Sequence, residues 1–528
     1  MNSSDDVIYN QNPATGNTVS EHKIAGEGEI RKAFEKASLA QSEWQKISVG
    51  DRVDFLEELE DIIVEKMDKI IETIKIETGK VEQEALTSDI LPTLRMIRYY
   101  KKNAAKILER EKRSTPLLAF ESHAYVDYFP RGTVAIISPW NYPFQLAAVP
   151  VITAITAGNA AILKPSELTP QTGKLISDLF LKLNMVPENL LQVLQGPGRV
   201  GAEMIDNNPD MIFFTGSNAT GKKIMKQAAE RLIPLELELG GKDPLIVLKD
   251  ADLERASEGA AYGAFTNTGQ LCVSVERAYV HESAVERFIR LVKKRGEKIS
   301  WESHSSSPDY GPFIHPGQKE KVVNLIHDAI EQGAELIGEL PGEGRENNFF
   351  PPLILKNVDH SMKIMEEEIF GPVLPVMSFT NEEEALEYAS DSRFGLNASI
   401  WSQDTGRAER LAEQLETGNC MINDVIRNVG NPSLPFGGVK ESGMGRYHGP
   451  EGLKKFSNTR SIMTNRSKSK RELNWFPFSE DLVKKLKDFV ATFYGKKSFL
   501  FANYFSKIPS ILSLLWLFIK NKFLRGEK

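Results

Sequence analysis

The chain has 528 residues, enough for two or three domains around a large core. A hydrophobic fraction of 41% and a charged fraction of 26% exclude a disordered or fibrous chain. A net charge of −7 argues against general nucleic-acid binding, and two cysteines leave no disulfide framework, which suits a reducing, cytoplasmic setting.

The first ten residues, MNSSDDVIYN, have neither a basic nor an apolar region, so no secretory signal is expected. Asn12-Pro13-Ala14-Thr15-Gly16 predicts a turn. Residues 28–112 read as mostly helical, with Phe55, Leu56, Leu59, Ile62 and Ile63 at helical spacing and Gly79 as a C-cap. Residues 125–129 alternate as a strand. Thr133-Val134-Ala135-Ile136-Ile137 is a β-branched run, the signature of a buried strand, and ends at Ser138-Pro139-Trp140-Asn141-Tyr142-Pro143. An apolar helix over 144–157 and a second buried strand over 160–164 follow. Strand–helix–strand units at this spacing predict a parallel sheet with right-handed crossovers, whose ligands bind where the strands end. Asn141 and Lys164 are both expected just past a strand.

Gly196-Pro197-Gly198-Arg199-Val200-Gly201 matches G-x-G-x-x-G, but Pro197 removes an amide and no acid follows some 20 residues on. It reads as a tight turn near a cofactor. A better phosphate cradle is Thr215-Gly216-Ser217-Asn218-Ala219-Thr220-Gly221, between a buried strand at 211–214 and a helix through Glu230, where free amides and the helix dipole favour a pyrophosphate. Taken alone, it reads equally well as a helix capped by Ser217 or Thr220. Glu238 follows in Leu235-Glu236-Leu237-Glu238-Leu239-Gly240-Gly241-Lys242. Strands and helices alternate again from Gly240 to about Pro432: strands at 246–248 and 277–281, helices at 284–300, 318–333 and 382–390. Within this second unit, Gly263-Ala264-Phe265-Thr266-Asn267-Thr268-Gly269-Gln270-Leu271 delivers Cys272. A thiol can attack an electrophilic carbonyl, and a carboxylate can later activate water. Met365-Glu366-Glu367-Glu368-Ile369-Phe370-Gly371-Pro372 and the Gly-rich stretch 434–445 complete the conspicuous runs. Cys420 falls in an apolar strand and is assigned to packing.

With those motifs in that order over roughly residues 10–465, the chain resembles the NAD(P)-dependent aldehyde dehydrogenase superfamily, including its branch acting on fatty, isoprenoid or carotenoid-derived aldehydes. The resemblance implies an α/β fold with three parts. A Rossmann-type cofactor domain would span 1–118 and 133–239, and an α/β catalytic domain 240–429. A small β oligomerisation arm would take 119–132 and 430–465, serving a dimer or tetramer. It implies Cys272 as nucleophile, Glu238 as deacylating base and Asn141 as oxyanion donor. It places the cofactor on Ser138, Trp140, Lys164, Glu167, Gly216, Ser217, Gly221, Glu368 and Phe370. It implies no metal. Glu167 on the adenosine ribose favours NAD, with NADP also accepted by some relatives. Three other readings stay open: transfer of the acyl group to coenzyme A, oxidation of a small, semialdehyde or phosphorylated aldehyde, and a silent structural protein on this fold.

Residues 466–528 carry 14 Lys/Arg against 5 Asp/Glu, reversing the charge of the body. Within them, 498–519 is apolar and aromatic but broken by Lys507 and Pro509, too short for a spanning helix and flanked by lysines. It is expected to attach to an anionic membrane surface at its cytoplasmic face, near lipid-partitioned aldehydes.

Overall fold

The computed structural model describes residues 6–116, 119, 121–301, 307–341, 348–467, 470–472, 475–494, 509, 512, 513 and 516. Among them, one compact unit holds those within 1–109 and 128–458, and a second those within 110–127 and 459–528.

Two larger sheets of the first unit position the site. One runs in the order Gly443–Met444, Leu235–Glu238, Met211–Thr215, Thr133–Ile137, Ala160–Lys164, Leu191–Val193. Its strands are parallel except Gly443–Met444, which pairs antiparallel with Leu235–Glu238. Every residue of Thr133–Ile137, Ala160–Lys164 and Met211–Thr215 is buried, as expected of strands covered on both faces. The helix Gln145–Thr156 is buried along its whole length. Phe55, Leu56, Leu59 and Ile63 form the inward stripe of Phe55–Glu65, and Gly79 ends Met67–Thr78 at φ 70°. The helical stretch stops at Ile107; Glu111–Arg113 is a strand. The alternating strand is longer than expected, Ser122–Pro130, and Lys164 is the last residue of its strand, not one beyond it.

The other sheet runs Glu335–Ile337, Leu353–Lys356, Val373–Phe379, Val275–His281, Asp243–Val247, Ser399–Trp401, Met421–Ile422, parallel apart from its first pair. Leu235–Glu238 and Asp243–Val247 lie four residues apart in the chain but in different sheets. Gly240 and Gly241 therefore form the crossing between the two sheets. Cys420 sits just before Met421–Ile422 and packs on the apolar cluster of this sheet.

Most of the three-stranded sheet Ser457–Asn465, Ser122–Pro130, Glu111–Arg113 and the helix Glu480–Tyr494 fall in the second unit. Among the described residues no helix is long and apolar enough to cross a membrane. The segment 498–519 lies almost entirely outside the described residues.

Candidate active site

Cys272 sits on a loop that the backbone alone would not adopt. The helix Leu253–Phe265, capped by Asp252, ends in a tight turn, Thr266–Gly269. There Asn267 (φ 50°, ψ 34°) and Thr268 (φ 58°, ψ 32°) are left-handed and Gly269 follows at φ 67°. Left-handed backbone costs a residue with a Cβ about 1–2 kcal/mol. At Gly269 a Cβ would overlap the Gly371 carbonyl, so only glycine fits.

The turn is held by side chains far away in the sequence. Glu84 Oε1 accepts from the Asn267 N–H at 2.6 Å and the Thr266 hydroxyl at 3.1 Å. The Thr268 hydroxyl donates to Gly311 O, and the Ile314 N–H donates to Gln270 Oε1 at 2.9 Å. Asn141 Nδ2 donates to Gln270 O at 3.0 Å, two residues before Cys272. An amide has a second N–H, which this bond leaves over. Nothing in the local sequence around Glu84 separates it from an ordinary helix-face acid; its partners are 182 and 183 residues away. Burial raises its carboxyl above the ordinary range. Glu84→Ala should leave two donors unsatisfied, costing about 1–3 kcal/mol in denaturant unfolding and lowering turnover more than substrate KM. Unchanged stability and turnover would show that the turn holds itself.

Cys272 keeps partial exposure and packs on the core containing Tyr142, Leu146 and Tyr447. Burial, then the carboxyls of Asp243, Glu368 and Glu238, push its thiol up. Glu238 ends its strand fully buried, and neither carboxyl oxygen accepts a hydrogen bond from the described residues. Burial first and the neighbouring Glu236 second raise it well above the ordinary carboxylate range, while Arg446 opposes them. An orphaned buried carboxyl is costly, and such groups concentrate where function needs them.

Glu368 is anchored on the turn between the sheets, its Oε1 accepting the Gly241 N–H at 3.1 Å. Burial and Glu276 raise it to about 7. Sequence reasoning missed Glu276. It pairs with buried Lys242 at 2.9 Å and accepts the Ile369 and Phe370 N–H groups, each at 2.8 Å. That pair fixes the Glu368–Phe370 run. Phe370, itself left-handed at φ 55°, meets Trp140 edge-on at 5.6 Å.

The remaining predicted residues gather at the carboxyl ends of the first sheet. Among the described residues, the buried Ser138 hydroxyl has no hydrogen-bond partner, and neither has that of Thr215. Lys164 Nζ donates to Pro165 O and Gly196 O, both at 2.8 Å, and stands 3.4 Å from Glu167 Oε2. The glycine cluster at 196–201 thus contributes a carbonyl to Lys164. Ser217 caps the helix Asn218–Ala229 through the Thr220 N–H, with Gly216 just before it. The Gly221 N–H bonds Ser217 O inside the helix, so what Gly221 offers is close packing on Leu239. Partnerless hydroxyls, a helix N-terminus and an ammonium beside a carboxylate fit a dinucleotide.

Residues 1–462 match the family model described as "Aldehyde dehydrogenase family". The chain belongs to the aldehyde dehydrogenase family. It is 47% identical to the 4,4'-diapolycopene aldehyde oxidase of Methylomonas sp over 489 residues, 92% of this chain and 91% of the relative. A relative from Mycobacterium ulcerans named for succinate semialdehyde and NADP(+) is 33% identical over 460 residues, 86% of this chain and 87% of that one. The crystal structure of a Mycobacterium tuberculosis aldehyde dehydrogenase complexed with NAD+ superposes with a TM-score of 0.82 at 31% identity, covering 87% of this chain and 95% of that one.

Proposed function

We propose that this aldehyde dehydrogenase oxidises an apolar aldehyde to its carboxylate with NAD, NADP serving less well, through a thioester on Cys272. The observation that carries the reading is the loop held by Glu84 and Asn141, which presents a partly exposed thiol among Glu238, Asp243 and Glu368.

Cys272, as its thiolate, attacks the aldehyde carbon, and the resulting oxyanion is met by the Asn141 amide and the Cys272 backbone N–H. Such donors act without reorganisation because Gln270 and Asn267 already fix Asn141. An oxidised nicotinamide held beside Cys272 would supply the hydride acceptor for the thiohemiacetal carbon. Glu238 then takes a proton from the water that attacks the thioester, the carbon–sulfur bond breaks, and Cys272 leaves as its thiolate. A carboxyl raised by burial suits this work, since a base acts best with its pKa near the working pH. Trp140, Glu368 and Phe370 position the nicotinamide end. Ser138, Lys164, Glu167, Gly216 and Ser217 take the ribose and phosphates, and the Glu167 carboxylate disfavours a 2′-phosphate. In this reading 1–118 and 133–239 form the cofactor domain, 240–429 the catalytic domain, and 119–132 with 430–465 an arm for a dimer or tetramer.

The 47% identical relative, named for a diapolycopene aldehyde, favours an apolar substrate over a semialdehyde acid. Assays of aldehydes of rising chain length with each cofactor test the proposal. Each buried CH2 contributes about 0.8 kcal/mol, so kcat/KM should climb about threefold to fourfold per carbon until the site is filled. A preference for succinate semialdehyde, or for NADP, would overturn those parts of it.

A further inference from the structure

Glu238 has a second acid beside it. Glu236 lies two residues earlier on the same strand, so both side chains leave the same face. Its side chain is fully buried, and neither carboxyl oxygen accepts an aligned hydrogen bond from the described residues. Lys455 Nζ, one-third exposed, lies 3.3 Å from Glu236 Oε2. Arg131 is tied to Lys455, its Nε donating to Lys455 O at 2.8 Å. The loop over the two acids is kept clear by glycine. At Gly437 a Cβ would stand 2.9 Å from Glu238 Oε1, and at Gly445 it would overlap Glu236 Oε2. Arg446 bridges that loop, its Nη1 donating to Gly438 O and Gly445 O at 2.7 and 2.6 Å.

We propose that Glu236 is the proton relay of Glu238, linking the buried base to solvent at Lys455. This rests on the reading of Glu238 as the deacylating base. The water oxygen bonds to the thioester carbon, the carbon–sulfur bond breaks, and the water proton goes to Glu238. That proton passes to the Glu236 carboxylate and from there to bulk water beside Lys455, leaving both acids ionised for the next turnover. No electrons change hands. Glu236 acts through Glu238 and touches no reacting atom, so it is a positioning residue. Burial holds its carboxyl up to about 7, partly opposed by Lys455, Arg446 and Arg131, which suits a group that gives and takes a proton near neutrality. The other titratable groups facing the pair are Tyr447 and Cys272, both bearing on Glu238. His448, its ring tilted against Tyr447 with centroids 4.0 Å apart, has its imidazole lowered to about 3 by burial.

The test uses full-length Glu236→Gln, Glu236→Asp and, alongside them, Glu238→Gln. Rapid mixing reads the NADH burst, which reports acylation, and the later steady rate, which reports deacylation. Glu236→Gln should keep the burst within about twofold and slow the steady rate about tenfold, short of the roughly 10²–10⁴ expected on losing the base itself. The acid limb of its steady rate should move to lower pH, because the Glu236 charge no longer opposes ionisation of Glu238. Glu236→Asp retains a titrating carboxyl and should turn over faster than Glu236→Gln. The relay is overturned if both Glu236 variants keep the wild-type steady rate and acid limb, or if they lose burst and steady rate together. Normal deacylation in Glu238→Gln instead overturns the assignment of Glu238, whatever the Glu236 variants do.

Discussion

Replacing Cys272 by alanine should remove aldehyde oxidation by about 10³-fold or more, because no other group can carry the covalent thioester. The thiol is partly exposed, so its loss opens no large cavity, and the turn behind it is held by Glu84, Asn141 and Gln270, none of which changes. Binding of NAD should stay within about twofold, since the residues proposed to hold its ribose and phosphates lie at the ends of other strands. Cys420 is the internal control. It packs on the second sheet, with its thiol pushed up to about 12 by burial, and Cys420→Ala should leave the rate unchanged. NADH formation and a titration of NAD binding measure both. Retained turnover in Cys272→Ala would remove the nucleophile from its assigned place.

Glu238→Gln should separate the two halves of the reaction. Glutamine keeps the size of the side chain in its buried position but cannot take a proton from water. Deacylation should slow by about 10²–10⁴, the range of a lost general base. Attack and hydride loss need no such base at Glu238, so one equivalent of NADH should still form rapidly and then stop. Loss of the burst would mean that Glu238 works before the thioester.

The buried strands were legible because parallel strands covered on both faces must be apolar throughout, and residues 133–137 and 211–214 read so without ambiguity. Cys272, Glu238 and Asn141 were legible because their flanking residues are distinctive. The support behind them was not. Glu84 sits in a run of helix-face acids, and Glu276 follows one buried valine and precedes an arginine; neither setting marks a buried acceptor. Their roles arise from pairing across more than 90 residues, which no local period reports. Glu236 shows the same limit differently. In Leu235-Glu236-Leu237-Glu238 the alternation reads as a half-solvated strand, yet both acids are buried, because Gly443–Met444 adds to that edge and the loop with Gly437 and Gly445 lies beside their carboxyl groups. Lys164 and Glu167 were found from their motif, but the Gly196 carbonyl that holds Lys164 came from a glycine cluster that by spacing alone suggests a phosphate loop.

Mass measurement on quenched Glu238→Gln tests the central claim most directly. The variant is mixed with NAD and a long-chain aldehyde, stopped with acid after the burst, digested and analysed. The account predicts one acyl group, two hydrogens lighter than the thiohemiacetal adduct, on the peptide containing Cys272 and none on the peptide containing Cys420. NADH formed with no acyl group on Cys272, or with the group elsewhere, would contradict it.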